Sequence, residues 1–164
     1  MLSWYKKTYA KTSDCIRVVK FEKMPQLPPI SNRDSWAYVV RDIAEYPNNP
    51  YWNQWRSAIN PLIDKAIRSG YDGLFRAGKA MHHIIFSTID HHGLRQEPRV
   101  TVEVNNDWSI QVHYSTTNVE FNPSIQSSKA TTDEAFQVLT RYLLRLWTDT
   151  ITEPVPEALI GRTV

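Results

Sequence analysis

Between Val100 and Tyr114 the chain alternates so regularly that a half-buried β-hairpin is the structure that satisfies it. Val100, Val102 and Val104 fall on one side of an extended strand, Thr101 and Glu103 on the other. Asn105-Asn106-Asp107 supplies turn residues, and Trp108, Ile110, Val112 and Tyr114 then resume a single phase. Val119-Glu120-Phe121 extends the pattern into a meander around residues 98–121. A sheet of this kind has one apolar face that must be covered, so amphipathic helices are needed elsewhere in the chain.

Those helices are legible. Asp34 is placed to N-cap a helix carrying Trp36, Val39, Val40, Ile43 and Ala44 on one stripe, stopped by Tyr46-Pro47. Asn49-Pro50 has the form of an N-cap followed by proline at the first helical position, and Asn60-Pro61 repeats it. The spacing of Trp52, Trp55, Ile59, Leu62, Ile63 and Ala66 stays in helical phase across Pro61. This predicts two abutting helices, or one kinked at Pro61, ending at Gly70. Leu74, Ala77, Met81, Ile84, Ile85 and Ile89 again recur near every 3.6 residues, which predicts a helix over 74–92, although its β-branched core would also suit a strand. Thr131-x-x-Glu134 is a capping-box pattern ahead of the strongly amphipathic run Phe136, Leu139, Tyr142, Leu143, Leu146, Trp147, giving a helix over 132–148. Near the start, Cys15–Phe21 reads as a strand, followed by a proline-rich loop.

The predicted architecture is therefore α+β: a small antiparallel β-sheet, the 98–121 meander plus the N-terminal strand, packed on one face by four to five helices. A single domain spans residues 1–164: a basic strand segment (1–23), a helical region (34–92), the meander, the C-terminal helix and an extended tail (153–164). Six tryptophans and eight tyrosines supply large rings to fill one core, which argues against disorder for the bulk of the chain.

Composition narrows the function classes. Cys15 is the only cysteine, so no internal disulfide and no thiolate metal cluster can form. No signal-peptide pattern and no apolar run of membrane-spanning length is present, so a cytoplasmic location is expected and no membrane partner. Lys6, Lys7, Lys11, Arg17, Lys20 and Lys23 make residues 1–23 net +4 and leave the remainder at −2. Cations this sparse, without a binding motif, do not point to nucleic acid.

Candidate chemistry is thin. Gly73-Leu-Phe-Arg-Ala-Gly78-Lys79 has phosphate-loop spacing, but Ala80 replaces the magnesium-binding hydroxyl and no strand precedes it, so chance glycines explain it. Four of the five histidines lie between 82 and 92. On the predicted helix His83, Ser87, Asp90 and His91 share a face, a candidate polar site for general-base or metal chemistry. His83 and His91 would nevertheless stand about 12 Å apart along the axis, too far to share one ion directly. No metal, no cofactor and no nucleophile motif is assigned. Tyr51 and Trp52, among Asn and Pro, are candidate anchors for a protein partner. The expectation is a non-catalytic cytosolic interaction module, with toxin-neutralising (immunity-type) proteins as the class it suggests. The alternative is a small hydrolase or metal-dependent enzyme built on the His-rich helix 82–92.

Overall fold

The structure is a computed structural model and describes residues 31–88, 98–116 and 125–160. The Cys15–Phe21 and Val119–Phe121 strands lie outside those residues, as do Asp90 and His91.

Helix α1 (Asn32–Ala44) starts three residues earlier than the sequence predicts. Its cap is Ser31, whose Oγ accepts from the Asp34 N–H at 3.1 Å and donates to Asp34 Oδ2 at 2.7 Å. Asp34 thus sits in the first turn, where a carboxylate meets the positive end of the helix dipole. Helix α2 (Pro50–Arg68) is capped as expected, with Asn49 Oδ1 accepting from the Trp52 N–H at 3.0 Å. It runs unbroken through Pro61. The carbonyl that proline leaves without its helical donor belongs to Ser57, on the exposed side, where water can replace the lost bond. Gly70, at φ +81°, occupies the left-handed position after the helix, followed by the single turn α3 (Tyr71–Leu74).

Among the described residues, the predicted helix over 74–92 does not form; its last residues, 89–92, lie outside them. In its place are two strands, β1 (Arg76–Ala80) and β2 (His83–Ser87), joined by Met81 and His82. Ile84 and Phe86 pack into the core while Ile85 is buried on the opposite side, so the run lacks the alternation that would have marked a strand. The helical region thus ends at Leu74 among the described residues.

Strands β3 (Arg99–Val104) and β4 (Ile110–Ser115) form the expected hairpin, with Val102 opposite Val112. Strand β5 (Ile125–Ala130) lies between the predicted meander and the C-terminal helix, where the sequence predicts no element. The result is a five-stranded antiparallel sheet in the order β1-β2-β3-β4-β5. Helix α4 (Ala135–Thr150) follows a realised capping box: Glu134 Oε2 accepts from the Thr131 N–H at 3.2 Å, and the Glu134 N–H donates to Thr131 Oγ1 at 3.4 Å. The tail, expected to be extended, contains the short turn α5 (Glu157–Ile160).

The α+β class is as expected, with the described helices gathered on one face of the sheet. Ala77, Ile84, Phe86, Val100, Val102, Ile110, Val112 and Tyr114 supply the sheet side of the core. Trp36 and Val39 of α1, Trp55 and Ile59 of α2, and Leu139 and Leu143 of α4 cover them. Helix α1 also closes the β1 edge, since Ser35 Oγ accepts from the Ala77 N–H at 2.9 Å and Trp36 Nε1 donates to the Phe75 carbonyl at 2.8 Å. No helix of the described residues is long and apolar enough to cross a membrane.

Candidate functional site

Antiparallel pairing brings the β1–β2 turn and the β3–β4 turn to the same end of the sheet, because β2 begins where β3 finishes. The α1–α2 connection arrives at that end too. Tyr46 donates its hydroxyl proton to the Met81 carbonyl at 2.6 Å and packs on Trp52, ring centres 4.1 Å apart. Trp52 contacts Tyr51 edge-on at 5.0 Å and Trp55 at 5.9 Å. Tyr51 reaches across to Trp108 of the β3–β4 turn at 5.7 Å. One connected cluster of aromatic rings therefore spans helix α2 and the sheet end.

The two turns share a second property. Among the described residues only Met81 (φ +55°) and Trp108 (φ +64°) are non-glycines in the left-handed region, and each sits in one of these turns. Bulky side chains are strained there by about 1–2 kcal/mol, so surrounding contacts must impose the conformation. For Met81 that contact is the Tyr46 hydroxyl on its carbonyl. For Trp108, the N–H donates to the Asn105 carbonyl at 2.9 Å, and Asp107 Oδ1 accepts from the Ser109 N–H at 3.2 Å. Lys129 donates to Asp107, and together with Ser109 pulls that carboxyl down to about 2. Met81 projects at 84% exposure and Tyr51 at 46%, whereas Trp52 is half-buried.

Beneath Met81, Lys79 is tied into the same end. Its Nζ lies 2.5 Å from Asp42 Oδ2 and 4.0 Å from the Tyr46 ring centre, and it donates to the Tyr46 hydroxyl. Burial works against the Lys79 charge, but the hydrogen bonds to Asp42 and Tyr46 outweigh it and raise the pKa above 10.5.

A separate polar array lies on the sheet face opposite the helical core. His83 Nε2 is 3.1 Å from one Glu103 oxygen and His113 Nε2 is 2.9 Å from the other. Strands β2, β3 and β4 thus each contribute one member. Burial lowers the His83 pKa below 6.5, and the nearby His82 and His113 add to this while Glu103 opposes it. Because each imidazole turns to a different carboxylate oxygen, the array is a hydrogen-bonded bridge. Among the described residues no three His, Cys, Asp or Glu side chains are grouped to hold a metal ion.

The sequence-level candidates divide accordingly. Tyr51 and Trp52 are brought together at the aromatic end. His83 and Ser87 lie on one face of β2, but four residue steps along the strand put them about 13 Å apart, and Ser87 is fully buried. Asp90 and His91 lie outside the described residues. Glu103 and His113 were not singled out from sequence; the outward phase of Thr101 and Glu103 was the available signal, but the partner strand's register was needed to add His113. Met81 and Trp108 carried no sequence signal as exposed or strained residues. No protein-family model, curated protein or solved structure matches the chain.

Proposed function

We propose that this chain is a non-catalytic, cytoplasmic protein-interaction module that docks a partner protein through the aromatic end of its sheet. The observation that carries the reading is the pairing of strain with exposure there: Met81 is held left-handed at a turn tip and projects into solvent beside the exposed ring of Tyr51. Backbone strain that is retained at an exposed apolar position suits a preorganised contact surface: the fixed turn and the rigid Tyr51 ring lose little entropy on binding, and the flexible Met81 side chain can adapt to the partner's shape. Toxin-neutralising proteins, which act by covering another protein's surface, are the class this reading favours; that step is by analogy of task alone. A single cysteine is in keeping with a reducing compartment.

Affinity capture from the native source, followed by calorimetric titration of the captured partner, tests the reading. Tyr51→Ala is expected to weaken binding by about 2 kcal/mol while leaving the unfolding midpoint in place. Unchanged affinity for both Tyr51→Ala and Met81→Ala overturns the assignment. The competing reading, a small hydrolase or metal-dependent enzyme, has lost the helix it was built on and retains one supporting observation, the His83–Glu103–His113 array. Substrate turnover abolished by Glu103→Gln would put that reading in first place.

A further inference from the structure

A groove of about 450 Å³ runs between the C-terminal half of α1 and the middle of α2. Its floor is Ile43 and Ile63, both buried. Its α1 wall is apolar although exposed: Val40 and Ala44 line it, and Ala37 continues the same stripe one turn earlier. Its α2 wall is polar, formed by Arg56, Asn60 and Asp64. These three recur every four residues, so they stand in a row on one helix face, with Arg56 and Asp64 about 12 Å apart along the axis.

That row reads the same when reversed with a partner of opposite charge: a cation, an amide at the centre, an anion. We propose that a second copy of this chain occupies the groove, forming a two-fold dimer in which the two α2 helices lie antiparallel with Asn60 on the axis. In an isologous interface residue i of one copy meets residue j of the other, and j meets i. Antiparallel α2 helices centred on Asn60 set Arg56 against the mate's Asp64 and Asp64 against the mate's Arg56. The two Asn60 amides, each with donor and acceptor, pair across the axis. Val40 and Ala44 of each copy then leave water against the mate's α2.

Two observations support a second copy over an unrelated partner. The charge row complements itself, which an unrelated partner does not require. The groups it would use are also available: among the described residues the Asn60 and Asp64 side chains have no hydrogen-bond or ion-pair partner. Arg56 has no carboxylate partner there, yet its guanidinium is already oriented, donating from Nη1 to the Tyr46 carbonyl at 2.9 Å. The groove shares Tyr46 with the aromatic end, but Asn60 and Asp64 have no contact with it, so variants at those two positions let either reading fail alone.

Sedimentation velocity and native mass spectrometry of the full chain provide the test. The wild type is expected at twice the chain mass of 19.1 kDa. Arg56→Asp and Asp64→Arg each set like charges together twice over, and each is expected to weaken self-association by at least about 100-fold and halve the observed mass. An equimolar mixture of the two variants restores both attractive pairs and is expected to yield the heterodimer alone. Asn60→Glu places two carboxylates on the axis while leaving the Arg56 side chain in place to keep its bond to the Tyr46 carbonyl, and is expected to give monomer even if Arg56→Asp disturbs the fold. A wild type that stays monomeric at roughly 1 mM, a dimer indifferent to Asp64→Arg and Asn60→Glu, or a mixture of folded variants that forms no heterodimer overturns the proposal.

Discussion

Tyr46 holds Met81 in place: the tyrosine hydroxyl donates to the methionine carbonyl at 2.6 Å, and Met81 is one of two described non-glycines at positive φ. The contact joins the α1–α2 connection to the β1–β2 turn, which otherwise contains no glycine, asparagine or proline to favour its geometry. Tyr46→Phe keeps the ring packing on Trp52 but removes the hydroxyl, leaving Lys79 without one acceptor and the turn without its clamp. A loss of about 1–2 kcal/mol in urea unfolding is expected. Met81→Gly is expected to act in the opposite direction, stabilising by about 1 kcal/mol through relief of left-handed strain. If Met81→Gly also weakens partner binding, the strain is retained for contact and not for folding.

Lys79 and Asp42 form the most enclosed ion pair at this end of the molecule. Asp42→Asn keeps the shape but removes the charge that offsets burial of the ammonium, and is expected to cost about 1–2 kcal/mol. The pH dependence has a defined sign. The folded-state pKa of Lys79 lies above its unfolded value of 10.5, so the contribution is complete below that pH and is lost as pH rises through the folded pKa. Alkaline unfolding followed by circular dichroism should therefore begin at lower pH in Asp42→Asn than in the wild type. Coincident alkaline transitions would show that the pair does not carry this stability.

The helices α1, α2 and α4 were legible because each announces itself twice, by an apolar stripe and by cap chemistry at Ser31–Asp34, Asn49-Pro50 or Thr131–Glu134. Even so, the sequence points to Asp34 as the cap of α1 where the structure uses Ser31, since a serine and an aspartate three residues apart both suit the capping position. The β3–β4 hairpin was legible because only one of its faces is apolar. Strands β1 and β2 were not. Ile84, Ile85 and Phe86 are buried on both faces of the sheet, and a continuous apolar run has no period to distinguish strand from helix. Strand β5, Ile125-Gln-Ser-Ser-Lys-Ala130, has little intrinsic β-propensity and takes its form from pairing with β4. The His83–Glu103–His113 bridge needed the register of three strands, a tertiary property absent from any local pattern.

Burial of His83 within this bridge makes stability fall in mild acid. Burial holds the His83 pKa below 6.5, so the unfolded chain binds its proton more readily than the folded one. Stability therefore decreases as pH drops through about 6.5, and continues to do so until the folded-state pKa is passed. Glu103 is the neighbour that favours the charged imidazole. Glu103→Gln should depress the His83 pKa further and deepen the acid loss, measurable as a larger difference in urea midpoint between pH 7.5 and pH 5.5. His83→Gln should flatten that difference. Equal acid sensitivity in wild type and both variants would remove His83 from the account.

Tyr51 and Trp52 are adjacent in sequence but face opposite fates. Tyr51 keeps its ring near half exposure and meets Trp52 edge-on and Trp108 at a tilt, so truncation removes contact surface more than core. Trp52 is packed between Tyr46 and Trp55 against the hydrophobic core. Removing its indole leaves a gap bordered by three rings, and Trp52→Ala is expected to cost about 2–3 kcal/mol, short of the 3–5 kcal/mol of a fully buried tryptophan. Tyr51→Ala should change stability by less than about 1 kcal/mol. The two substitutions together separate anchoring from packing. Loss of partner affinity in Tyr51→Ala at unchanged stability assigns the exposed ring to the interface, whereas Trp52→Ala is expected to lower both stability and affinity. If Trp52→Ala loses affinity with no loss of stability, the indole is a contact residue in its own right and its placement against the core is secondary. If Tyr51→Ala unfolds the protein, the aromatic end is core, and the docking surface must be sought elsewhere on the chain.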